Sequence, residues 1–528
     1  MKRIFQYLAP FVILFSWACS GLGEITDIKE PETPVLRLIT PALDVLVIPP
    51  KEEVRLAFTV KDPGYKFNYS VADKDVDIRL VLTNGQEPSG FYLKEVLPGE
   101  TGGAYVAVIA DSGTDSTYDV NAVITISTVG NSFVQSSAIR IMSEPAPAGT
   151  VYTGLPVVYV NTQGGVGVYS KTEFVPATMK IKGVGTIPGL EEVACNIRGR
   201  GNTTWTWPKK PYLIKMEKRT SVLGFPKHKR WVLLANFMDR TMMRNLVSMK
   251  VSSMMTNLAW TPRCRPVELV LNGEHVGNYL LIEQVRVDEN RVNISETDGY
   301  LFELDFHYDN PIQWKDHNIP FAIKNPDEDV ITQEQINYAK NYIAEVANAI
   351  YGSNFKDPQN GYAKYLDVDS YIDYWIVYEV MTNHELKNPG SVMFHKDVNG
   401  KLTAGPCWDF DWGVLSFKTS PQAETGLVNG NAIWYARLFE DPAFKTKVRN
   451  RFNELLPQLQ TIPDYMEECR SLLSESAKLN FAMWNPADDK SQNGGNIING
   501  DENMTFDAAI DRLKSNYNKH LRVIQDVL

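Results

Sequence analysis

"SVMFHKDVNGKLTAGPCWDFDWG" (residues 391–413) joins a turn signal to two acids that stand one residue apart. The dipeptide Asn399-Gly400 lies between two β-forming runs and is typical of a tight hairpin turn. In a strand that continued past the hairpin, Asp409 and Asp411 would share one face, because residues i and i+2 point the same way. The aromatic neighbours would pack behind them: Trp408, Phe410 and Trp412. The stretch therefore predicts a hairpin followed by two firmly held carboxylates.

Two carboxylates on one face indicate a cation site. Like charges at this spacing repel each other unless a cation lies between them. Mg²⁺ accepts carboxylate and amide oxygens, and it usually keeps several waters and binds substrate phosphates. Aromatic residues behind the acids would hold their geometry when no metal is bound. The pair is therefore predicted to bind a divalent cation, with a turn cap or a structural calcium site as the alternative interpretation.

The chain around this hairpin predicts an α+β domain over residues 150–528. Its first part is rich in strand patterns, and Asn272-Gly273 marks an earlier tight hairpin in "PVELVLNGEHVGNYLLIEQV". Its later part has helical periodicity. The predicted helices are residues 239–255, 333–350, 367–381, 442–460, 463–481 and 505–528. A β-rich front, a helix-rich back and an acid-bearing hairpin between them predict a bilobed domain.

The segment before this domain predicts an all-β module. From residue 35 to residue 145, short alternating runs such as "VDIRLVL" and "NAVITISTV" are separated by Gly, Asn, Asp and Pro. This pattern is typical of an immunoglobulin-like sandwich. No constellation of acids, histidines or cysteines stands out in the segment, so we expect a spacer or an interaction module.

The N-terminus predicts export. A positive start precedes the apolar run "IFQYLAPFVILFSWA", which is too short to span a bilayer comfortably, and a cysteine follows it. Residues 1–19 are therefore predicted to be a signal peptide with a lipidated Cys19, and residues 20–34 a tether. An ordinary cleaved signal that ends near Ala18 is the alternative. We expect an outer-membrane lipoprotein, periplasmic or on the cell surface, which contacts the membrane only through its N-terminal lipid.

Charge and cysteine usage narrow the function classes. The net charge is −10 and the chain has no Lys/Arg-rich tract, which argues against nucleic acid as a partner. The remaining cysteines show none of the short CxxC spacings that mark a zinc site. They are Cys195, Cys264, Cys407 and Cys469. Disulfides and buried thiols are both compatible with this spacing.

Several catalytic signatures are absent from the sequence. It has no Walker-type glycine loop, no GxSxG elbow and no HExxH motif. A metal-dependent hydrolase that uses the Asp pair lacks a supporting histidine or a third clustered acid. The features that remain follow one another along the chain as a basic strand, a polar loop, a hairpin and an acid pair. The phosphate- and metal-binding elements of kinases follow one another in the same order.

Seven stretches resemble, in family order, the spore-coat protein H (CotH) kinase-like family. They are "RGRGNTTW", "KKPYLIKM", "WVLLANFMDRTMMRN", "VELVLNGEHVGNYLLIEQV", "DYWIVYEVMTNHE", "SVMFHKDVNGKLTAGPCWDFDWG" and "WYARLFEDPAFKTKV". The resemblance implies an atypical protein-kinase-like fold that binds ATP and Mg²⁺ or Mn²⁺ between two lobes. It also fits an exported lipoprotein of the Bacteroidetes type with a β-sandwich in front.

The resemblance implies roles for individual residues. Asp409 and Asp411 match the metal-binding motif, and Asn388 is a further metal or phosphate contact. The residues implied in nucleotide binding are Arg200, Asn202, Lys210, Lys215 and Glu283, with Lys215 favoured as the phosphate-pairing lysine. A third group matches the family's "LLAN-x-x-D" block and is expected to bind substrate or brace the site. Its members are Asn236, Asp239, Arg244 and Asn245.

The catalytic loop departs from the kinase pattern of Asp, four residues, then Asn. Asn383 and Asn388 meet that spacing, but an amide is no base. If Glu385 is the base instead, Gly390 stands where the Asn is expected. Both arrangements stay open, and Glu385 is the favoured catalytic residue together with Asp409.

The sequence thus predicts an exported kinase that transfers a phosphoryl group from ATP to a hydroxyl of a protein or a surface glycan. The alternative is a weak or inactive member of the fold that acts as a binding or adhesion module. The paired residues Trp205 and Trp207 are compatible with stacking on a sugar ring, but they are also compatible with packing between lobes.

Overall fold

The computed structural model describes residues 151, 153–488 and 498–528 of the 528-residue chain, together with eight strands between residues 36 and 142. For those eight strands the backbone pairing alone is described. They are β1 (Leu36–Arg37), β2 (Val45–Val47), β3 (Glu53–Val60), β4 (Val76–Leu82), β5 (Phe91–Pro98), β6 (Gly103–Ala110), β7 (Asp119–Thr128) and β8 (Val134–Met142).

The N-terminal strands pair as two four-stranded sheets, ordered β1-β3-β6-β5 and β2-β8-β7-β4. The predicted succession of short strands is confirmed, because alternating runs such as "VDIRLVL" occupy β4 and its neighbours. The packing of these sheets into a sandwich stays a prediction. The predicted signal peptide, Cys19 and the tether lie outside the described residues.

The next seven strands close into a barrel in the order β10-β11-β12-β13-β15-β14-β9. They are β9 (Val157–Thr162), β10 (Val175–Lys182), β11 (Leu190–Gly199), β12 (Tyr212–Thr220), β13 (His228–Leu234), β14 (Cys264–Leu271) and β15 (Glu274–Glu283). The pairing of β9 with β14 is parallel, and the other barrel pairs are antiparallel. The sequence predicts strands in this region, but it does not predict that they close into a barrel.

Alternation along the strands divides the barrel residues between two cores. Ile197, Ile214 and Trp231 point to the interior, where they are fully buried. Their neighbours Leu213 and Val232 point outward and join the core of the helical part of the domain. The barrel therefore has a packed interior and also an outer face that packs against the rest of the domain.

Trp231→Ala is expected to lower the free energy of unfolding by about 3–5 kcal/mol, because it leaves a large cavity in the barrel. The Trp231 ring is 0% exposed and stacks on Phe225 with centroids 6.3 Å apart. Denaturant unfolding measures the change. Lys229→Ala on the same strand removes an exposed side chain and is expected to stay within about 0.5 kcal/mol. Equal losses in both variants would contradict the assigned core.

The hairpin β14–β15 turns at Asn272-Gly273, as the sequence predicts. Both residues have positive φ angles, 52° and 83°. These values match the two-residue turn whose twist suits antiparallel strands, and Asn and Gly tolerate them best. The turn fixes the register of the two strands that it joins.

A five-stranded sheet ordered β17-β18-β16-β19-β20 follows the barrel. Its strands are β16 (Tyr300–Leu304), β17 (Gln313–Asp316), β18 (Ile319–Asn325), β19 (Val392–Lys396) and β20 (Thr403–Ala404). The second predicted hairpin is confirmed as β19–β20. However, β20 ends at Ala404, so the strand predicted to hold the two acids does not extend to them.

The remaining elements are mostly helical. They are α1 (Thr203–Thr206), α2 (Arg244–Ser252), α3 (Gln333–Tyr351), α4 (Tyr362–Tyr365), α5 (Val368–Val380), α6 (Tyr435–Leu438), α7 (Pro442–Leu459), α8 (Ile462–Met483) and α9 (Phe506–Val527). Short 3-10 helices lie at Gln163–Gly165, His384–Leu386, Pro421–Glu424 and Pro486–Asp488. All six predicted helices are confirmed. None of the helices in the described part of the chain combines the length and apolar composition that a membrane crossing requires.

Helix α2 is shorter than its periodicity predicts, because the residues before it form turns. Asp239 accepts hydrogen bonds from the backbone N–H groups of Thr241 (3.0 Å) and Arg244 (2.8 Å), which sets the start of the helix.

The four cysteines in the described residues are free thiols, three of them buried. The mixture of sheets and helices agrees with the predicted α+β class.

Candidate functional site

A cleft of about 960 Å³ lies between the outer face of the barrel and the five-stranded sheet. Strand β11 and the turn after β13 contribute from the barrel side, and β16, the loop after α5 and the segment after β20 contribute from the other side. Seven of the predicted site residues line this cleft. They are Arg200, Asn202, Asn236, Glu385, Asn388, Asp409 and Asp411. The structure therefore brings together residues that are far apart in the chain.

Asp409 and Asp411 do not lie on a strand, and the prediction that they do is wrong. Asp409 has a φ of 65°, in the left-handed region that is rare for residues other than glycine, asparagine and aspartate. This turn places both acids on the cleft, and Trp408 and Trp412 line it as well instead of packing behind them. Of the aromatic residues, Phe410 is the one fully buried behind the acids.

The electrostatics of the cleft favour a bound cation. Burial raises the pKa of Asp411 above its usual range, and the charge of Asp409 raises it further. Arg200 opposes this shift, since its guanidinium lies close enough to interact with both acids. Burial lowers the pKa of Arg200, while Asp409, Asp411 and Glu303 raise it. A divalent cation between the carboxylates would relieve their mutual repulsion.

The acid pair is braced by amide side chains on both sides. Asn245 Oδ1 accepts a hydrogen bond from the Phe410 N–H (2.8 Å), and Asn499 Nδ2 donates to the Asp411 carbonyl oxygen (3.2 Å). Ser391 Oγ donates to Asp409 Oδ2 (3.3 Å). The loop is therefore held by neighbouring elements independently of any ligand.

Within the "LLAN-x-x-D" block, Asp239 and Arg244 contact each other as well as the segment after the acids. Their side chains form a buried ion pair, and Arg244 also bonds to Asp501 (2.7 Å) and to the Val414 carbonyl oxygen (2.8 Å). The Asp239 carboxylate accepts hydrogen bonds from Thr241 and from Arg244, through both backbone and side chain. These two residues brace the segment that carries the acids.

The catalytic loop places Asn383 and Glu385 in different environments. Asn383 is fully buried, and its carboxamide accepts from the Glu385 N–H (2.9 Å) and donates to the Asp409 carbonyl oxygen (3.5 Å). Glu385 lines the cleft. Of the two residues that the sequence left open, Glu385 is the one that faces the cavity.

The Glu385 carboxylate is held ready for a ligand. Its Oε2 atom is shielded from solvent and has no hydrogen-bond partner among the described residues. Burial raises its pKa well above the usual range, and Asp409, Asp411 and Asp305 raise it further. A cation bound beside the acid pair would shift that pKa back down, so metal binding would favour the basic form.

A buried network supports the loop from behind. Asn429 Nδ2 donates to the Asn383 carbonyl oxygen (2.8 Å). Glu379 accepts from the N–H groups of Val428 and Asn429, both at 2.7 Å, and lies 3.0 Å from His520 Nε2 on α9. The loop position therefore depends on contacts that reach the C-terminal helix.

Three predicted nucleotide-binding residues do not line the cleft. Lys210 Nζ donates to the Trp205 carbonyl oxygen (2.9 Å), and Lys215 is exposed with its Nζ 5.7 Å from the centroid of the Phe174 ring. Glu283 is buried and pairs with Arg263 (3.0 Å). The resemblance implies that these three residues bind nucleotide. That role stays a prediction, and all three residues lie outside the cleft.

Several residues that line the cleft were not identified from the sequence. On the barrel side they are Arg230 and Arg286, and on the opposite side Glu303, Asp305, His307 and Lys324. The strand pairing brings Arg198, Leu213 and Val232 side by side, and Arg230 lies two positions before Val232 on the same face. Recognising this from sequence requires the register between strands, which the residue pattern alone does not supply.

The paired tryptophans pack against neighbouring rings. Trp207 is 6% exposed and stacks on Trp412 with centroids 6.4 Å apart and planes 10° apart. Trp205 lies beneath Lys210, whose Nζ is 5.5 Å from the ring centroid. Trp207 thus joins the barrel side to the acid-bearing loop, in agreement with the packing interpretation.

The donor set of the cleft fits Mg²⁺ or Mn²⁺. Within the described residues, no group of three or more His, Cys, Asp or Glu side chains has a metal-binding arrangement. Mg²⁺, however, is commonly bound by one or two carboxylates, with waters and phosphate oxygens as the other ligands. Asp409, Asp411 and the exposed amide of Asn388 supply such a set.

Comparison with known protein families identifies most of this domain. The sequence profile of the family described as CotH kinase protein matches residues 197–528, which include most of the cleft and the elements from β12 to α9. No curated protein sequence matches the chain.

Proposed function

The chain belongs to the CotH kinase protein family, and we propose that it transfers the γ-phosphoryl group of ATP to a hydroxyl of a protein or a surface molecule. The observation that supports this most is that Asp409, Asp411 and Glu385 line one cleft with Arg200 beside the acids. We propose the bilobed kinase arrangement for the same domain, with the barrel as one lobe and the helical part as the other.

In this proposal Asp409 and Asp411 hold Mg²⁺ or Mn²⁺, and Asn388 is a further ligand or phosphate contact. The metal supplies positive charge that neutralises the phosphate oxygens and orients them for an in-line displacement. The chain itself contributes the rigid loop, because the Phe410 N–H and the Asp411 carbonyl oxygen are anchored by Asn245 and Asn499.

Phosphate contacts are assigned to Arg200 and Asn202 in place of Lys210 and Lys215. Arg200 lines the cavity and interacts electrostatically with both acids, and its guanidinium lies 5.6 Å from the Trp408 ring centroid. A guanidinium presents several N–H donors in one plane and suits phosphate oxygens. Arg198 and Arg230 supply further positive charge on the same wall.

Glu385 acts as the general base. Its carboxylate accepts the proton of the acceptor hydroxyl while the hydroxyl oxygen attacks the γ-phosphorus, and the bond to the bridging oxygen breaks to release ADP. Asn383 positions Glu385 through the hydrogen bond to its N–H.

Arg200→Ala is expected to weaken ATP binding in the presence of Mg²⁺ by about 10- to 100-fold, because it removes charge-assisted hydrogen bonds to phosphate. Lys215→Ala is expected to change the affinity by less than about threefold, because Lys215 lies outside the cleft. Calorimetric titration of both variants measures this. A larger loss in Lys215→Ala would restore the lysine assignment made from the sequence.

The proposed activity is tested with radiolabelled ATP and Mg²⁺ or Mn²⁺, which should label the protein itself or a general acceptor. A thermal-shift titration accompanies it, because a ligand at 100 times its Kd contributes about 2.7 kcal/mol of stability. If the wild-type protein shows no labelling and no melting shift, the proposal is overturned.

A second candidate is a binding module for surface glycans. It is favoured by two exposed aromatic side chains beside the cleft, Phe306 (47% exposed) and Tyr308 (40% exposed). A melting shift with glycans and none with ATP would select this candidate. The proposal also includes export, lipidation at Cys19, an outer-membrane location and the N-terminal sandwich. The lipid anchor is tested by metabolic labelling with a fatty acid, which should label the wild-type protein but not Cys19→Ala.

A further inference from the structure

Asn236 lies in the turn that follows β13 and lines the cleft beside the acid-bearing loop. It is 6% exposed, and its φ of 47° is in the left-handed region. Its Nδ2 atom is shielded from solvent and has no hydrogen-bond partner among the described residues. A buried N–H donor without a partner is costly, so its retention in a cleft indicates a ligand atom that accepts from it.

The orientation of the Asn236 carboxamide is fixed by two hydrogen bonds. The Phe410 N–H can act only as a donor, so the atom of Asn245 that meets it at 2.8 Å must be Oδ1. The Nδ2 of Asn245 then donates to Asn236 Oδ1 at 3.3 Å. The remaining polar atom of Asn236 is Nδ2, a pure donor that the protein leaves without a partner.

We propose that Asn236 Nδ2 donates a hydrogen bond to a terminal oxygen of the γ-phosphoryl group, and that Asn245 positions it. This inference rests on the proposed function. Asn236 is joined through Asn245 to the Phe410 N–H between the two acids, so it belongs to the same part of the cleft as the proposed metal. The acceptor hydroxyl instead has to approach Glu385, whose N–H is bonded to the Asn383 side chain that also contacts the Asp409 carbonyl oxygen.

The polarity of the site agrees with an anionic oxygen as its ligand. The Asn236 amide can only donate there, and the barrel side of the same cleft carries guanidinium groups, of Arg200 and Arg198 among others. A terminal phosphoryl oxygen has lone pairs and carries negative charge. An acceptor hydroxyl would compete for the same donor less well, because hydrogen bonds to charged oxygen are stronger.

The test compares the affinity for a non-hydrolysable ATP analogue with that for ADP, both with Mg²⁺, by calorimetry. Asn236→Ala is expected to weaken binding of the analogue by about 10- to 100-fold and to change ADP binding by less than about threefold. Asn245→Asp touches no ligand, but its side chain can no longer donate to Asn236 Oδ1. This variant is also expected to weaken binding of the analogue. The new carboxylate accepts a hydrogen bond from Asn236 Nδ2, so the Asn236 carboxamide flips and presents its oxygen, not its N–H group, to the phosphate.

Asn196→Ala, on β11 outside the cleft lining, is the matched control and should bind both nucleotides as the wild-type protein does. Melting temperatures of the unliganded variants report whether each one is folded. Unchanged affinity of folded Asn236→Ala for the analogue would overturn the inference, and so would an equal loss for ADP and analogue, which would place the donor elsewhere on the nucleotide. If the wild-type protein itself binds neither nucleotide, the proposed function fails, and this inference fails with it.

Discussion

Asp409→Asn is expected to lower phosphoryl transfer by at least about 10²- to 10³-fold, because it removes one of two carboxylates that hold the metal against the transferring phosphate. Asparagine is the informative replacement. It keeps the size of the side chain and tolerates the φ of 65° at this position, so the backbone turn is preserved. Initial rates with radiolabelled ATP measure the loss.

The same variant separates a chemical role from a structural one. Burial raises the pKa of Asp411, and the like charge of Asp409 raises it further, as expected for two acids that repel each other without a cation. Asp409→Asn is therefore expected to melt at the same temperature as the wild-type protein or higher, and to lose the stabilisation by Mg²⁺. Asp369→Asn on α5, an exposed acid that pairs with Lys447, should leave activity unchanged. Full activity in Asp409→Asn would exclude the proposed metal site.

Glu385→Gln is expected to lower kcat by about 10²- to 10⁴-fold, the usual contribution of a general base, and to leave the affinity for ATP nearly unchanged. The carboxylate is the active form, and its pKa is raised by burial and by Asp409, Asp411 and Asp305. Activity of the wild-type protein should therefore fall as the pH drops through the raised pKa of Glu385. This acid limb should be missing from the residual activity of Glu385→Gln.

Asn383→Asp is the matched comparison, because it tests whether the neighbouring position can supply the base. Asn383 Nδ2 donates to the Asp409 carbonyl oxygen, and a carboxylate there would repel that oxygen. The variant is expected to lose activity and stability together. A gain of activity in Asn383→Asp, or a kcat in Glu385→Gln close to that of the wild-type protein, would show that Glu385 is not the base.

The elements predicted from local patterns are those that local chemistry determines. The hairpins at Asn272-Gly273 and Asn399-Gly400 need only a tight turn between two strands, and both asparagines have positive φ. Helices such as α3 and α9 have a strong apolar periodicity and capping residues at their first turns. The closed barrel, in contrast, depends on the parallel pairing of β9 with β14, which are far apart in the chain.

Part of the cleft lining was predicted from the sequence, but the backbone geometry of its acids was not. A residue pattern identifies Asp409 and Asp411 as a pair, but a spacing of two also fits a turn, and the turn is what the chain forms. The choice between Arg200 and Lys215 depends on which end of a strand meets the cleft, and this follows from the strand register. The choice between Asn383 and Glu385 depends on burial, because Asn383 caps the 3-10 helix at His384–Leu386 and faces inward.

Crystals grown with Mn²⁺ and a non-hydrolysable ATP analogue, measured by anomalous scattering at the manganese edge, show directly whether Asp409 and Asp411 bind the metal. A manganese peak is expected beside Asp409 and Asp411, in contact with phosphate oxygens and with Glu385 facing the terminal phosphate. A nucleotide bound without metal at these acids, or a cleft that takes up neither at saturating concentrations, would contradict the proposed metal site.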